Sequence, residues 1–235
     1  YDNVSNNNDQ AADSDELDVR VARVVWKAPG DHTLVFAGRT RSGNYIDHYA
    51  QMDIFDGGGY HYFQQPEFAG KLVGYKSPKF SGVHVGVSLK SDNPDNDEDQ
   101  DVVNLRVVWN SGPWHAGVGY VENNASTADD STRETLSFSY TDGPLSVGLT
   151  HEDKLRPSGT LDGDTVLGIA GSYTIDQHTF RAASYSQDSD VAANDGLSAT
   201  TFEYSLALNQ YTNFFATIDQ YDTSDTAATD TIVFG

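Results

Sequence analysis

Thr135-Leu136-Ser137-Phe138-Ser139-Tyr140-Thr141-Asp142-Gly143-Pro144-Leu145-Ser146-Val147-Gly148-Leu149-Thr150 alternates apolar and small polar side chains on both sides of an Asp-Gly turn. Leu136, Phe138 and Tyr140 share one face, and Thr135, Ser137 and Ser139 the other. Past the turn, Leu145, Val147 and Leu149 alternate with Ser146, Gly148 and Thr150. A period of two is the signature of a strand with two unlike faces, and Asp-Gly between two such runs marks a hairpin.

The same rhythm recurs along the chain. Val103, Leu105, Val107 and Trp109 alternate with Asn104, Arg106, Val108 and Asn110; Phe202, Tyr204, Leu206 and Leu208 alternate with Thr201, Glu203, Ser205 and Ala207. Thirteen strands are predicted, at 16–27, 32–39, 68–76, 82–91, 101–110, 114–122, 132–141, 144–152, 163–174, 178–187, 198–208, 212–221 and 228–235. Most approach the ~9–11 residues of a tilted membrane-crossing strand, where soluble strands average nearer ~5–6. Helical periodicity is nearly absent, and no apolar run nears the ~20 residues of a spanning helix.

The connections alternate too. Tight turns fall at 28–31, 78–81, 111–113, 142–143, 175–177 and 209–211. Long, acidic segments fall between them at 40–67, 91–100, 123–131, 153–162, 188–197 and 222–227. In an antiparallel meander every second connection lies at the same end of the sheet, so one end carries turns and the other carries loops. That asymmetry predicts an all-β, transmembrane, antiparallel up-and-down barrel of the outer-membrane kind. Trp26, Trp109, Trp114, Tyr120, Tyr140, Tyr173, Tyr185, Tyr204, Phe214 and Tyr221 fall mostly near strand ends, as an interfacial girdle would place them.

Composition narrows the function. Against 35 Asp+Glu stand 14 Lys+Arg, for a net charge of −21. That balance argues against nucleic acid, whose phosphates need a basic face, and cations are the natural counter-ions. There is no Cys, the seven His show no ligand spacing, and no nucleophile–base, phosphate-loop or dinucleotide pattern stands on a suitable unit. The expectation is therefore no enzyme and no cofactor or metal. The acidic run 92–101 lacks the Gly and the terminal Glu of an EF-hand loop and reads as a solvated loop. The chain starts at Tyr1 and stops inside a strand, so 1–235 reads as one barrel domain incomplete at both ends. Thirteen is odd, whereas bacterial barrels close with even counts.

Three short stretches carry a family resemblance. Gly74-Tyr75-Lys76-Ser77-Pro78-Lys79-Phe80-Ser81-Gly82-Val83 resembles the recurring R-Y-x-S-P-x-F-x-G-F segment of trimeric, sixteen-stranded general porins from Gram-negative bacteria. Ala37-Gly38-Arg39-Thr40 resembles the x-G-R-x that closes a strand before that family's inward-folded loop. Segment 40–67, ending in Pro66-Glu67-Phe68, sits where that loop belongs. The resemblance implies sixteen strands in the whole protein, of which this chain holds the fourth to the sixteenth. It implies an outer-membrane homotrimer in contact with lipid and lipopolysaccharide, and a water-filled channel passing small hydrophilic solutes and ions; the excess of acids adds the expectation of a cation preference and of bridging by divalent cations. It implies that 40–67 is the constriction loop, with Asp47, Asp53, Asp56 and Glu67 as its acids opposite wall cations Arg23, Arg39 and Arg106. Alternation puts Arg106 inward, opposite in phase to Leu105 and Val107, and the cost of a cation facing lipid points Arg133 and Arg181 inward as well. The competing readings are a secreted acidic β-sandwich that binds carbohydrate or calcium, and a porin with a dedicated sugar or anion site.

Overall fold

The computed structural model describes residues 21–58, 62–63, 68–90, 102–123, 131–155, 163–190, 192, 195–223 and 226–235. Fourteen strands form: β1 (Ala22–Ala28), β2 (His32–Arg41), β3 (Phe68–Ala69), β4 (Leu72–Lys76), β5 (Val83–Lys90), β6 (Val102–Ser111), β7 (Trp114–Asn123), β8 (Ser131–Asp142), β9 (Leu145–Leu155), β10 (Asp164–Ile175), β11 (His178–Ser189), β12 (Leu197–Asn209), β13 (Thr212–Thr223) and β14 (Thr226–Phe234). All pairs are antiparallel. Thirteen strands follow one another across a single sheet in the order β1-β2-β4 and onward to β14, while the two-residue β3 pairs with the end of β2.

Two details depart from the pattern read off the chain. The predicted strand 68–76 breaks at Lys71, which takes a positive φ of 51° and separates β3 from β4. The predicted long connection 222–227 is short, because β13 runs on to Thr223 and β14 begins at Thr226, with those two residues paired. Thr is a good strand former despite its polarity, and the paired ladder carries Asp222 with it, so polarity alone misplaced that boundary.

Alternation sorts the two faces as the sequence suggests. On β12 Phe202 is 60 % exposed while its neighbour Thr201 is fully buried. The outward face carries Leu105, Val107, Val118, Leu136, Phe138, Val147, Leu167, Ile169, Phe180 and Ile218. In water so many exposed apolar side chains would be untenable; against lipid they are the favourable arrangement. One ladder row reads Trp109, Ala116, Phe138, Leu149, Ile169 and then turns polar at Ser184, Thr200 and Gln220. A row nearer the turns stays apolar on the later strands, through Ala182, Phe202, Ile218 and Ile232. The apolar belt thus slides along the ladder, which is what strands tilted to a membrane produce. At the turn end Trp114 packs on Tyr140, with ring centroids 4.4 Å apart.

The inward face carries small and polar residues, and the chain's buried apolar cluster lies there, beneath the segment that follows β2. Tyr45, Tyr49, Met52, Tyr62 and Phe63 from that segment pack on Val166, Ala170, Ala183, Tyr185 and Ala199 of β10–β12. Phe63 meets Tyr49 and Tyr185 edge to face, at 5.3 and 6.0 Å between centroids. Each large side chain buried in this way is worth about 1.5–3 kcal/mol, so the segment is held as firmly as a core element.

Candidate functional site

The segment opens with one π-helical turn, Tyr45–Tyr49, closed by the Ala50 amide donating to the Tyr45 carbonyl at 2.9 Å. Such widened turns gather at functional sites. From there the chain crosses the inward face of the sheet from β6 to β13, bonded to successive strands.

At its start, Asp47 accepts from Arg106 Nε at 2.6 Å, and the Asp47 carbonyl lies 2.7 Å from His115 Nε2. The Arg106 guanidinium fits between two glycines: a Cβ on Gly86 would lie 2.4 Å from its Cζ, and one on Gly43 2.2 Å. His48 lies over Gly117 and Gly119, its Nδ1 2.8 Å from Ser137 Oγ. It is wholly buried, and that burial lowers its pKa from 6.5 to about 4. Thr150 donates to the His48 carbonyl at 2.6 Å, and Gln51 donates to the Leu149 carbonyl at 3.0 Å. Tyr49 donates to Glu152, with Thr135 Oγ1 2.7 Å from the same hydroxyl, and burial beside that carboxylate raises the Tyr49 pKa well above its ordinary value.

Farther along, Tyr185 donates to the Met52 carbonyl at 3.0 Å. Glu203 on β12, its side chain fully buried, accepts the backbone N–H groups of Asp56 and Gly57 at 3.0 and 2.8 Å and the Thr217 hydroxyl at 2.7 Å, and pairs with Arg181. Arg181 also reaches Asp56 at 2.9 Å, where Ser205 and Asn213 donate too. Tyr62 closes the crossing, donating to the carbonyls of Ser198 and Asp222.

The anticipated residues fall into three groups. Asp47 and Arg106 face each other under the segment, and the Asp47 side chain is only 11 % exposed. Asp53 is exposed, held by a hydrogen bond from Tyr45, and Asp56 is partly exposed at the clamp just described. Arg23 is exposed on β1 and donates to Thr40; Arg39 pairs with Ala22 in the β1–β2 ladder, out of phase with the buried Thr40. Glu67 lies outside the described residues. Arg133, 3.4 Å from Glu152, and Arg181 both point to the inner face.

A family profile described as Gram-negative porin matches residues 3–226. The chain belongs to the Gram-negative porin family. Porins lie in the outer membrane, where their barrels are channels. The sheet is similar to solved porin barrels: OmpT lacking loop L8, an outer membrane protein of Vibrio cholerae, at 16 % identity and a TM-score of 0.65, over 92 % of this chain and 78 % of that one; an anion-selective porin from Comamonas acidovorans, at 14 % and 0.66, over 87 % and 67 %; and Salmonella typhi OmpF in complex with daunomycin, at 14 % and 0.66, over 86 % and 70 %. A comparison with curated proteins finds no match.

For this porin, the residues that alternation could not flag are Glu203, Tyr49 and the glycines under the loop. Glu203 is legible as inward from its phase with Thr201 and Ser205, yet its role depends on facing Arg181 across the β11–β12 ladder. The signal that existed was glycine on the polar face of strands, at Gly86, Gly117, Gly119 and Gly148, where another backbone or a flat side chain comes close.

Proposed function

We propose that this porin is a passive pore for small hydrophilic solutes and ions, preferring cations, in which the segment after β2 is the constriction loop of a sixteen-stranded barrel that assembles as a homotrimer. The observation that carries the reading is the loop's two-sidedness. Its wall side is bonded from β6 to β13, through Asp47 at one end and Asp56 at the other, and its free side presents the carboxylate of Asp53. The wall arginines beneath it meet acids: Arg106 meets Asp47, Arg133 meets Glu152, and Arg181 meets Glu203 and Asp56. With those arginines matched, Asp53 on the free side sets the sign of the local field. Residues 182–235 add eight acids and no Lys or Arg. Across the lumen from those acids would stand Arg23 of β1, which donates to the buried Thr40, whereas Arg39 is on the other face of the ladder. The transverse field between Arg23 and the acids would order water and favour polar solutes.

No step of bond chemistry is assigned to the chain. Contact with lipopolysaccharide through divalent cations fits its acidity, and the trimeric form in which Vibrio cholerae OmpT was solved fits the assembly. The test is swelling of liposomes carrying the purified protein in a series of neutral sugars of increasing size. Rates that fall steeply with size and do not saturate support a general pore. Saturating uptake of one sugar would favour a dedicated site, and no uptake would reject the reading.

A further inference from the structure

The free side of the loop is not uniformly polar. Ile46, Ala50 and Asp53 follow one another along the exposed side of the segment. Tyr45, His48, Tyr49 and Met52 take the side against the wall, each less than a tenth exposed. Ile46 is 50 % exposed, which sets it apart from the other large apolar side chains of the described loop. The two acids beside it differ in what they offer. Asp56 already receives Arg181, Ser205 and Asn213. Asp53 receives the Tyr45 hydroxyl, which positions the carboxylate and leaves its charge uncompensated.

A passing solute therefore meets a fixed negative charge with an isoleucine and an alanine along the same exposed side of the segment. An inorganic cation gains from the charge alone. A sugar gains little from the isoleucine. An ammonium ion with an apolar substituent gains from both, the charge at Asp53 and partial removal of its alkyl group from water against Ile46. We infer that Ile46 and Asp53 together make the narrow zone select organic ammonium ions with apolar substituents over inorganic cations of the same charge. This rests on the channel reading above and adds the class of solute.

The experiment is a bi-ionic reversal potential in a planar bilayer, with KCl on one side and n-butylammonium chloride on the other. It uses the unmodified protein and the near-isosteric pair Ile46→Val and Ile46→Thr. One methyl exchanged for a hydroxyl in an apolar contact corresponds to about a threefold loss. The butylammonium-to-potassium permeability ratio of Ile46→Thr should fall about threefold below that of Ile46→Val, and the difference should vanish when Asp53→Asn is added to both. K+ conductance with equal ratios in Ile46→Val and Ile46→Thr overturns this inference and leaves the channel reading standing. Absence of K+ conductance in the unmodified protein overturns the channel reading, and this inference with it.

Discussion

Replacing Glu203 by glutamine should release the far end of the loop while the barrel stays folded. The carboxylate is fully buried and receives two backbone N–H groups, a hydroxyl and a guanidinium. Glutamine keeps the shape but loses the charge, and its amide nitrogen brings hydrogens to where donors already point. One amide, that of Asp56 or Gly57, then loses its acceptor, at about 1–3 kcal/mol for a buried donor left unmet. The charge-assisted bond from Arg181 weakens at the same time, and breaking one side of a buried pair costs about 3–5 kcal/mol. Asp56 still holds Arg181 at 2.9 Å, so little of the second cost applies, and about 3 kcal/mol, the upper end of the first, is the expectation. This segment is bonded to the wall through side chains and not through the ladder, so the loss should appear as local opening. Hydrogen exchange at the Asp56 and Gly57 amides should quicken about a hundredfold, since each 1.4 kcal/mol is a factor of ten, with ladder amides of β12 and β13 unchanged. Open-channel current should become noisier. Exchange at those two amides within threefold of the unmodified protein would refute the clamp.

Two further outcomes follow from the same geometry. His48 is held neutral by burial, with Asp47 opposing that shift and His115 and Arg106 adding to it. Its folded pKa of about 4 lies below the ordinary 6.5, so its contribution is whole above pH 6.5 and is lost as pH falls toward 4, up to about 3 kcal/mol. Exchange at loop amides should therefore rise between pH 7 and pH 4.5 after correction for intrinsic rates, and His48→Gln should flatten that dependence. On the outer face, Phe138 is 44 % exposed in the middle of the apolar run of β8, paired with Ala116 and Leu149. Phe138→Lys should cost about 2–4 kcal/mol in urea-dependent folding into bilayers, and a change below 1 kcal/mol would mean that this face does not meet lipid.

Much of this architecture could be read from the chain because a barrel strand exposes its rule at every second residue. Phe202 and Thr201, or Leu105 and Arg106, declare their faces without any knowledge of partners. Glycine and aspartate fixed the turns for the same local reason: Gly143 and Asp176 adopt the left-handed conformation those corners need. What alternation could not supply was anything that depends on which strands meet across the lumen. Asp47 reads as one more loop acid, and only the fold brings it onto Arg106, between two glycines. Glu203 and Arg181 are cross-strand partners through a connection too long for register to be counted. The break at Lys71 was equally hidden, because its positive φ serves the junction of β3 with β4 and leaves no mark on polarity.

The most direct test of the central claim is the zero-current potential of the reconstituted protein under a KCl gradient, repeated with Asp53→Asn and Asp56→Asn. The loop's carboxylates should give a potential of the sign that favours K+, moving toward zero in Asp53→Asn and farther in the double variant. A potential that favours chloride, or one that neither substitution moves, would contradict the assignment of this loop as the element that sets what the channel passes.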